Sequence, residues 1–290
     1  MSPVRDPRTT PARPDLAAAH LRGLVEAERY ADPTETMVCT PVAPMSATPD
    51  GTAAMTSQLL FGERFTVYDS DGQWAWGQSD LDGYVGYVPR SCLDDPAALG
   101  VPEPTHRVAA LSTHVYAEPH FKARPGAALP AGARIAVTGE RDGFGALGPG
   151  GFAPLCHLTP LETPAPDWVA EAERFLGVPY LWGGRSATGL DCSGLVQLSL
   201  QAGGHDCPRD SDQQEAALGR PLAARERLAR GDLVFWKGHV GVMVTGSRLL
   251  HANIHHMAVA VEPLSDARQR IREKGEGTVT SRRRLETTAA

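Results

Sequence analysis

A long run of strand-like alternation in this chain stops at a proline-rich stretch, Thr163-Pro164-Ala165-Pro166, beyond which helical spacing appears. Upstream, apolar residues alternate in short runs broken by Asp-Gly pairs, as in "FTVYDSDGQWAWGQSDLDGYVGYVPRSCL". A period of two punctuated by such turns marks the hairpins of a small β-barrel. The segment 104–162 repeats the texture. In both stretches a Gly-aromatic turn precedes a closing strand, at Gly83–Pro89 and again at Gly150–Pro154. Internal repetition favours two small barrels over one sandwich. Downstream, Trp168, Ala172, Phe175 and Leu176 share one helical face. "CSGLVQLSLQAGG" reads as a second helix that Gly203-Gly204 terminates. "DLVFWKG", "HVGVMV", "SRLLHAN" and "MAVAVEPL" read as antiparallel strands. Helices followed by a sheet make this part an α+β domain. The expected organisation is an N-terminal extension over 1–32, a first barrel over 33–98, a second over 103–162 and the α+β domain over 166–290. Within the extension, Leu16, Ala19, Leu24 and Ala27 suggest a short helix.

The chain has 290 residues, a formal net charge of −6 and no basic stripe, which excludes a nucleic-acid partner. The one basic run, Arg282-Arg283-Arg284, reads as a solvated edge. No stretch approaches the ~20 apolar residues of a membrane span, so no membrane partner is expected. The opening "MSPVRDPRTTPARPDLAAAH" lacks the apolar core of a secretory leader, and a cytoplasmic location is expected. The five cysteines, Cys39, Cys92, Cys156, Cys192 and Cys207, are odd in number and do not form a disulfide framework.

Cys192 stands apart from the other four. It begins a helical pattern, between Asp191 and Ser193. A helix N-terminus favours the thiolate, but by only ~0.3–1 kcal/mol, less than one pKa unit. A strong nucleophile therefore needs a histidine partner. His239 opens one strand and His251 lies in the next. Two-residue alternation places His239, Gly241 and Met243 on one face, and Leu249, His251 and Asn253 likewise. Neighbouring antiparallel strands can then set the two histidines side by side, facing the helix. His239 would be the general base, His251 the group that orients its ring, and Gly241 would keep the floor open. Asp191 disfavours a thiolate beside it and is better suited to holding a positive charge on a substrate. His251, His255 and His256 could hold zinc with a cysteine only on a helix. Their segment reads as strand–turn–strand and no C-x-x-C or H-E-x-x-H is present, so no metal is expected.

Taken in order, "PYLWGG…LDCSGLVQ", "PRDSDQQ", "GDLVFW", "HVGVMV" and "LLHAN" resemble the NlpC/P60 family of cysteine peptidases over about 166–262. The two upstream barrels resemble bacterial SH3-like domains. The implied fold class is α+β, a papain-like NlpC/P60 catalytic domain preceded by two small SH3-like β-barrels. With "LLFGER" and "DGYVGYVP" upstream, the chain is similar to the cytoplasmic branch that cleaves γ-D-glutamyl–diamino acid bonds in free murein peptides. The resemblance implies Cys192 as nucleophile, His239 as base and His251 as third polar member. It implies that Asp191, helped by Glu63 and Tyr84, holds the free α-ammonium of an N-terminal L-Ala. Ser193 and Ser211 would take the γ-D-Glu carboxylate, while Arg209 and Asp210 fix their loop. The barrels would wall off the pocket and exclude sugar-linked stems, which suits recycling. The expected partner is a small murein peptide, with no metal or organic cofactor. Two other readings stand beside it: a cell-wall peptide-binding module, and an amidase or acyltransferase on the same Cys-His-His arrangement.

Overall fold

A computed structural model describes residues 5–148 and 150–285. The chain divides into two units, Met1–Leu161 and Glu162–Ala290.

The first unit holds two seven-stranded sheets. The first is built from β4 (Thr34–Val38), β5 (Val42–Ser46), β6 (Met55–Leu60), β7 (Arg64–Ser70), β8 (Trp74–Ser79), β9 (Val85–Pro89) and β10 (Leu93–Asp94). A short helix, α1 (Pro96–Leu99), follows. The second sheet comprises β11 (His106–Val108), β12 (Ser112–Tyr116), β13 (Pro125–Pro130), β14 (Arg134–Arg141), β15 (Phe144–Gly148), β16 (Phe152–Pro154) and β17 (Leu158–Pro160). Their strand orders, β10-β4-β7-β8-β9-β5-β6 and β17-β11-β14-β15-β16-β12-β13, are the same permutation. The repeat extends to single hydrogen bonds. Val38 N donates to Glu63 O at 2.9 Å and Val108 N to Ala133 O at 2.8 Å; Gly62 N donates to Val38 O and Gly132 N to Val108 O, both at 2.9 Å. In the first sheet several turns are closed by carboxylates. Asp71 Oδ1, for example, accepts from Gln73 N at 2.9 Å and Trp74 N at 2.7 Å, as aspartate does in tight turns.

The extension departs from the expected helix. Residues Ala12–Arg13 form β1, Leu16–Ala18 form β2 and Arg29–Ala31 form β3, one three-stranded sheet with a single turn of 3-10 helix at Ala19–Leu21. Pro11 and Pro14 hold the chain extended where a helix would need to start. Leu24, an expected member of the helical face, is 59% exposed. Leu16, Ala17, Ala18 and Leu21 instead pack on Tyr68 and Trp76 of the first sheet, and Arg13 lies 4.7 Å over the Trp76 ring. Tertiary burial has overridden the local pattern.

The second unit begins with α2 (Trp168–Glu173), capped by Asp167, whose side chain accepts from Val169 N and Ala170 N. Val169, Ala172 and Phe175 are buried, but Leu176 is 59% exposed. The helix ends at Glu173, so helical spacing no longer sets where Leu176 points. A small hairpin, β18 (Arg185–Ser186) with β19 (Gly189–Leu190), leads into α3 (Cys192–Ala202). Every residue of α3 from Cys192 to Leu200 is buried, so this helix is enclosed on all sides rather than amphipathic. After α4 (Ser211–Ala217) come β20 (Arg220–Pro221), β21 (Asp232–Trp236), β22 (His239–Met243), β23 (Arg248–Asn253), β24 (Ala258–Pro263), α5 (Leu264–Glu273) and β25 (Ser281–Arg284). They form a sheet in the order β20-β25-β21-β22-β23-β24, all antiparallel.

The basic run 282–284 is therefore an inner strand, not a solvated edge. Its arginine heads find partners along the chain. Arg284 Nε donates to Asp232 Oδ1 at 2.7 Å and its Nη2 to Oδ2 at 2.8 Å, neutralising a carboxylate with no exposure. Arg283 and Arg282 donate to the carbonyls of Gly219 and Glu226 at 3.1 and 3.2 Å. Among the described residues no helix is long and apolar enough to cross a membrane.

If β2 is a core strand, Leu16→Ala should destabilise the first unit by about 2–5 kcal/mol, as large-to-small core changes do. Urea unfolding of the full chain checks this. A change below about 0.5 kcal/mol would mean that the extension is peripheral.

Candidate active site

The head of α3 is fixed by polar contacts that no water can supply. Asp191 is its N-cap. Asp191 Oδ1 accepts from Gly194 N at 2.6 Å, Ser193 Oγ at 3.2 Å and Arg209 Nη1 at 3.0 Å; Oδ2 accepts from Gly183 N at 3.0 Å and Arg209 Nη2 at 2.6 Å. Arg209, almost fully buried, also donates to Ser193 Oγ at 2.9 Å. Gln214, on α4, donates to the carbonyls of Ser193 and Pro208 at 3.0 and 2.9 Å. Gly194 is required here: a Cβ would lie 2.2 Å from Gly184 O.

This packing seats the Cys192 thiol, 8% exposed, against the sheet. The backbone N–H groups of Val240 and Ser193 reach the sulfur. A cavity of about 550 Å³ opens beside it, lined by Tyr180, Trp182, Cys192, Trp236, His239 and His251 among others. His239, first residue of β22, and His251, in β23, share a hydrogen bond of 2.8 Å between Nε2 and Nδ1. Gly241 makes room for this pair: a Cβ would meet Leu249 at 2.8 Å and the His251 Cβ at 3.1 Å. Its role is to admit the neighbouring strand's side chains, not to hold open the floor of the cleft. Behind His251 stand two residues that sequence reasoning missed. His251 Nε2 lies 2.7 Å from Glu262 Oε1, and Arg270 Nη1 donates to Glu262 Oε2 at 2.6 Å.

Burial first, then the charge of Asp191, pushes the thiol up to about 12; the two N–H groups and Arg209 oppose this. Burial, then His251 and Arg270, pushes His239 down to about 3. The resting pair is thus a neutral thiol and a neutral imidazole. Tyr180 was also missed, although "PYLWGG" contains it. Burial raises its phenol, as do Cys192 and Asp191, so it remains an O–H donor beside the sulfur.

Expected ligand contacts fare differently. The five donors around Asp191 fill the roughly four lone-pair sites of a carboxylate, and the group is 7% exposed. These contacts give Asp191 a structural role at the helix head that the sequence did not indicate. The Ser193 hydroxyl is buried and engaged with Arg209 and Asp191. Ser211 is the buried first residue of α4, which Asp210 caps in a capping box with Gln213. Glu63 and Tyr84 belong to the first unit. Glu63 is buried and its Oε2 accepts from Leu60 N at 2.9 Å, closing a turn. Tyr84 packs in the first sheet's core beside Val38, Phe65 and Val88. The His251–His255 segment is strand–turn–strand, so those two rings share no helical face. Among the described residues no three His, Cys, Asp or Glu side chains converge as metal ligands do.

The low His239 value has a consequence for stability. In the unfolded chain the imidazole takes up a proton near 6.5; in the folded chain it does so only near 3. Between these values the unfolded state binds more protons, so stability should fall as the pH drops from 6.5 towards 3, by up to ~1.4 kcal/mol per pH unit for this group. His239→Gln should flatten that slope, read from urea midpoints between pH 7.5 and 4.5. Parallel slopes in the two proteins would show that His239 takes up its proton over the same pH range folded and unfolded.

The model of the NlpC/P60 family matches residues 177–272, and that of the bacterial dipeptidyl-peptidase Sh3 domain matches residues 45–93. The gamma-D-glutamyl-L-lysine dipeptidyl-peptidase of Bacillus subtilis is 30% identical over 224 residues, 68% of this chain and 71% of that protein. The protein of the same name from Bacillus cereus is 27% identical over 239 residues, 73% of this chain and 71% of that one. The crystal structure of an NlpC/P60 family protein from Bacillus cereus has the same fold, with a TM-score of 0.72 at 22% identity over 87% of this chain and 99% of that one. A match over two-thirds of a relative's length, together with a family model lying across Cys192, His239 and His251, places this chain in the NlpC/P60 family of cysteine peptidases.

Proposed function

We propose that the chain hydrolyses the γ-D-Glu–diamino acid bond of free murein peptides with an unblocked N-terminal L-Ala, releasing the dipeptide L-Ala-γ-D-Glu. The observation that carries this reading is the cleft in which a helix-head thiol, Cys192, shares a wall with the His239–His251 pair. The bond is suggested by the activity for which the relatives from the two Bacillus species are named. A dipeptidyl-peptidase counts from a free amine, which is why the unblocked terminus belongs to the reading. Recycling of wall fragments is the setting such a requirement suits.

The reaction follows from the two neutral groups. As the sulfur attacks the γ-carbonyl carbon, the thiol proton passes to His239, and charge appears only as the bond forms. The oxyanion is met by donors at the head of α3 and by the Tyr180 phenol, each typically worth about 2.7–4 kcal/mol. The tetrahedral species collapses to a thioester while the imidazolium protonates the departing amine. Water then attacks the thioester, its proton returning through His239, and the dipeptide leaves as a carboxylic acid. Thiol and imidazole end as they began.

Mass spectrometry of products from L-Ala-γ-D-Glu-diaminopimelate or the lysine analogue tests this. The L-Ala-γ-D-Glu dipeptide should appear, and Cys192→Ala should abolish it while the fold persists. N-acetylating the substrate should lower kcat/KM at least about tenfold, roughly 1.4 kcal/mol. Turnover by Cys192→Ala, or retention of peptide without cleavage by the unaltered chain, would contradict the reading; the latter favours a binding module.

A further inference from the structure

Four side chains form a line leading away from the thiol: His239, His251, Glu262 and Arg270. Glu262 is on β24 and Arg270 on α5, so the line joins three strands and a helix. Both Glu262 oxygens face donors. Oε2 accepts from Arg270 Nη1 at 2.6 Å; Oε1 accepts from Arg270 Nη2 and lies 2.7 Å from His251 Nε2. A carboxylate gripped on both oxygens by a guanidinium has only acceptor capacity. His251 Nε2 must therefore carry the hydrogen. Burial keeps His251 neutral, so its Nδ1 is bare and can only accept. The atom 2.8 Å from it is His239 Nε2, which must then carry its own hydrogen. A neutral imidazole with its proton on Nε2 has a bare Nδ1. Nδ1, the His239 nitrogen not engaged with His251, is the one left to take the thiol proton in the peptidase reading.

We propose that Glu262 is a positioning residue that sets the direction of both histidine hydrogen bonds, and so leaves His239 in the one tautomer able to act as base. Arg270 holds the carboxylate in place. The assignment rests on the peptidase reading for its kinetic consequence only. A donor at position 262 would reverse the line. His251 would receive at Nε2 and carry its hydrogen on Nδ1. It would donate to His239 Nε2 and drive the His239 hydrogen onto Nδ1, which could then no longer accept a proton. Glutamine does this: with Arg270 donating to one arm of the amide, the carbonyl is taken and the NH₂ is left for His251.

A solely structural Glu262–Arg270 pair would tie α5 to the sheet, and its loss would lower stability without moving any proton in the relay. The experiment separates the two. In histidine-labelled full-length protein, ¹⁵N NMR reads the tautomer of each ring, with His239→Gln and His251→Gln giving the assignments. The unaltered chain at neutral pH should show both rings as the Nε2–H form. Glu262→Gln should move His251 towards Nδ1–H and lower kcat on the tripeptide by roughly tenfold or more, with KM within about twofold, as loss of the correct tautomer does in related triads. If Glu262→Gln does not fold, Glu262→Gln with Arg270→Met removes the guanidinium's demand for two acceptors; it should leave His251 in a mixture of tautomers. An Nδ1–H form of His239 in the unaltered chain overturns the proposal. So does a folded Glu262→Gln protein with unchanged tautomers and unchanged kcat. The NMR readout needs no substrate, so failure of the relay and failure of the peptidase reading are told apart.

Discussion

The buried pairing of Asp191 with Arg209 is the interaction on which the site depends. Helix α3 is enclosed along its length, so its first N–H groups cannot turn to water. Asp191 meets the need by capping Gly194 N, and this brings a carboxylate into the interior. Only a fork-shaped cation on both oxygens makes that tolerable; removing one partner of such a pair typically costs about 3–5 kcal/mol. Arg209 supplies the fork and spans to Ser193, and Gln214 fastens the same turn to α4. The result is a rigid helix head whose thiol lies against the backbone of Val240, one residue beyond His239. Position, rather than intrinsic acidity, is what this arrangement supplies.

Electrostatically the arrangement works against a standing thiolate. The carboxylate that caps the helix also raises the thiol, and burial raises it further. The same burial strips His239 of its charge. Thiol and imidazole are thus uncharged at rest beside the cleft, and polarity develops only when a carbonyl carbon arrives to accept the electron pair. The thiolate is the reactive species, so a thiol held neutral in this way depends on a base for its reactivity. The polar line through His251 to Glu262 and Arg270 then has a task beyond packing, since it decides which ring nitrogen is free at that moment.

Much of this was legible in the chain. Period-two runs and the repeated Gly-aromatic segments pointed to two small β units; that the two sheets share one strand order was not legible in the sequence. Alternation along "HVGVMV" and "LLHAN" brought His239 and His251 to one face. Tertiary geometry hid the rest. Leu16-Ala17-Ala18 reads equally as helix or strand until Tyr68 and Trp76 cover it. Arg282–Arg284 looked solvated because the sequence does not show that Asp232 waits beneath the strand. Asp191 and Arg209 are 18 residues apart, and Glu262 and Arg270 eight, so neither pair announces itself as local pattern.

Intact-mass spectrometry of protein quenched in acid during turnover of the tripeptide addresses the central claim most directly. If Cys192 attacks the γ-carbonyl with His239 as its base, a fraction of the chain should carry one L-Ala-γ-D-Glu acyl group, and digestion should map it to the peptide holding residue 192. Turnover with the acyl group on another cysteine would contradict the assignment, as would turnover with no thioester in the acid-quenched protein and no dipeptide hydroxamate formed when hydroxylamine is present.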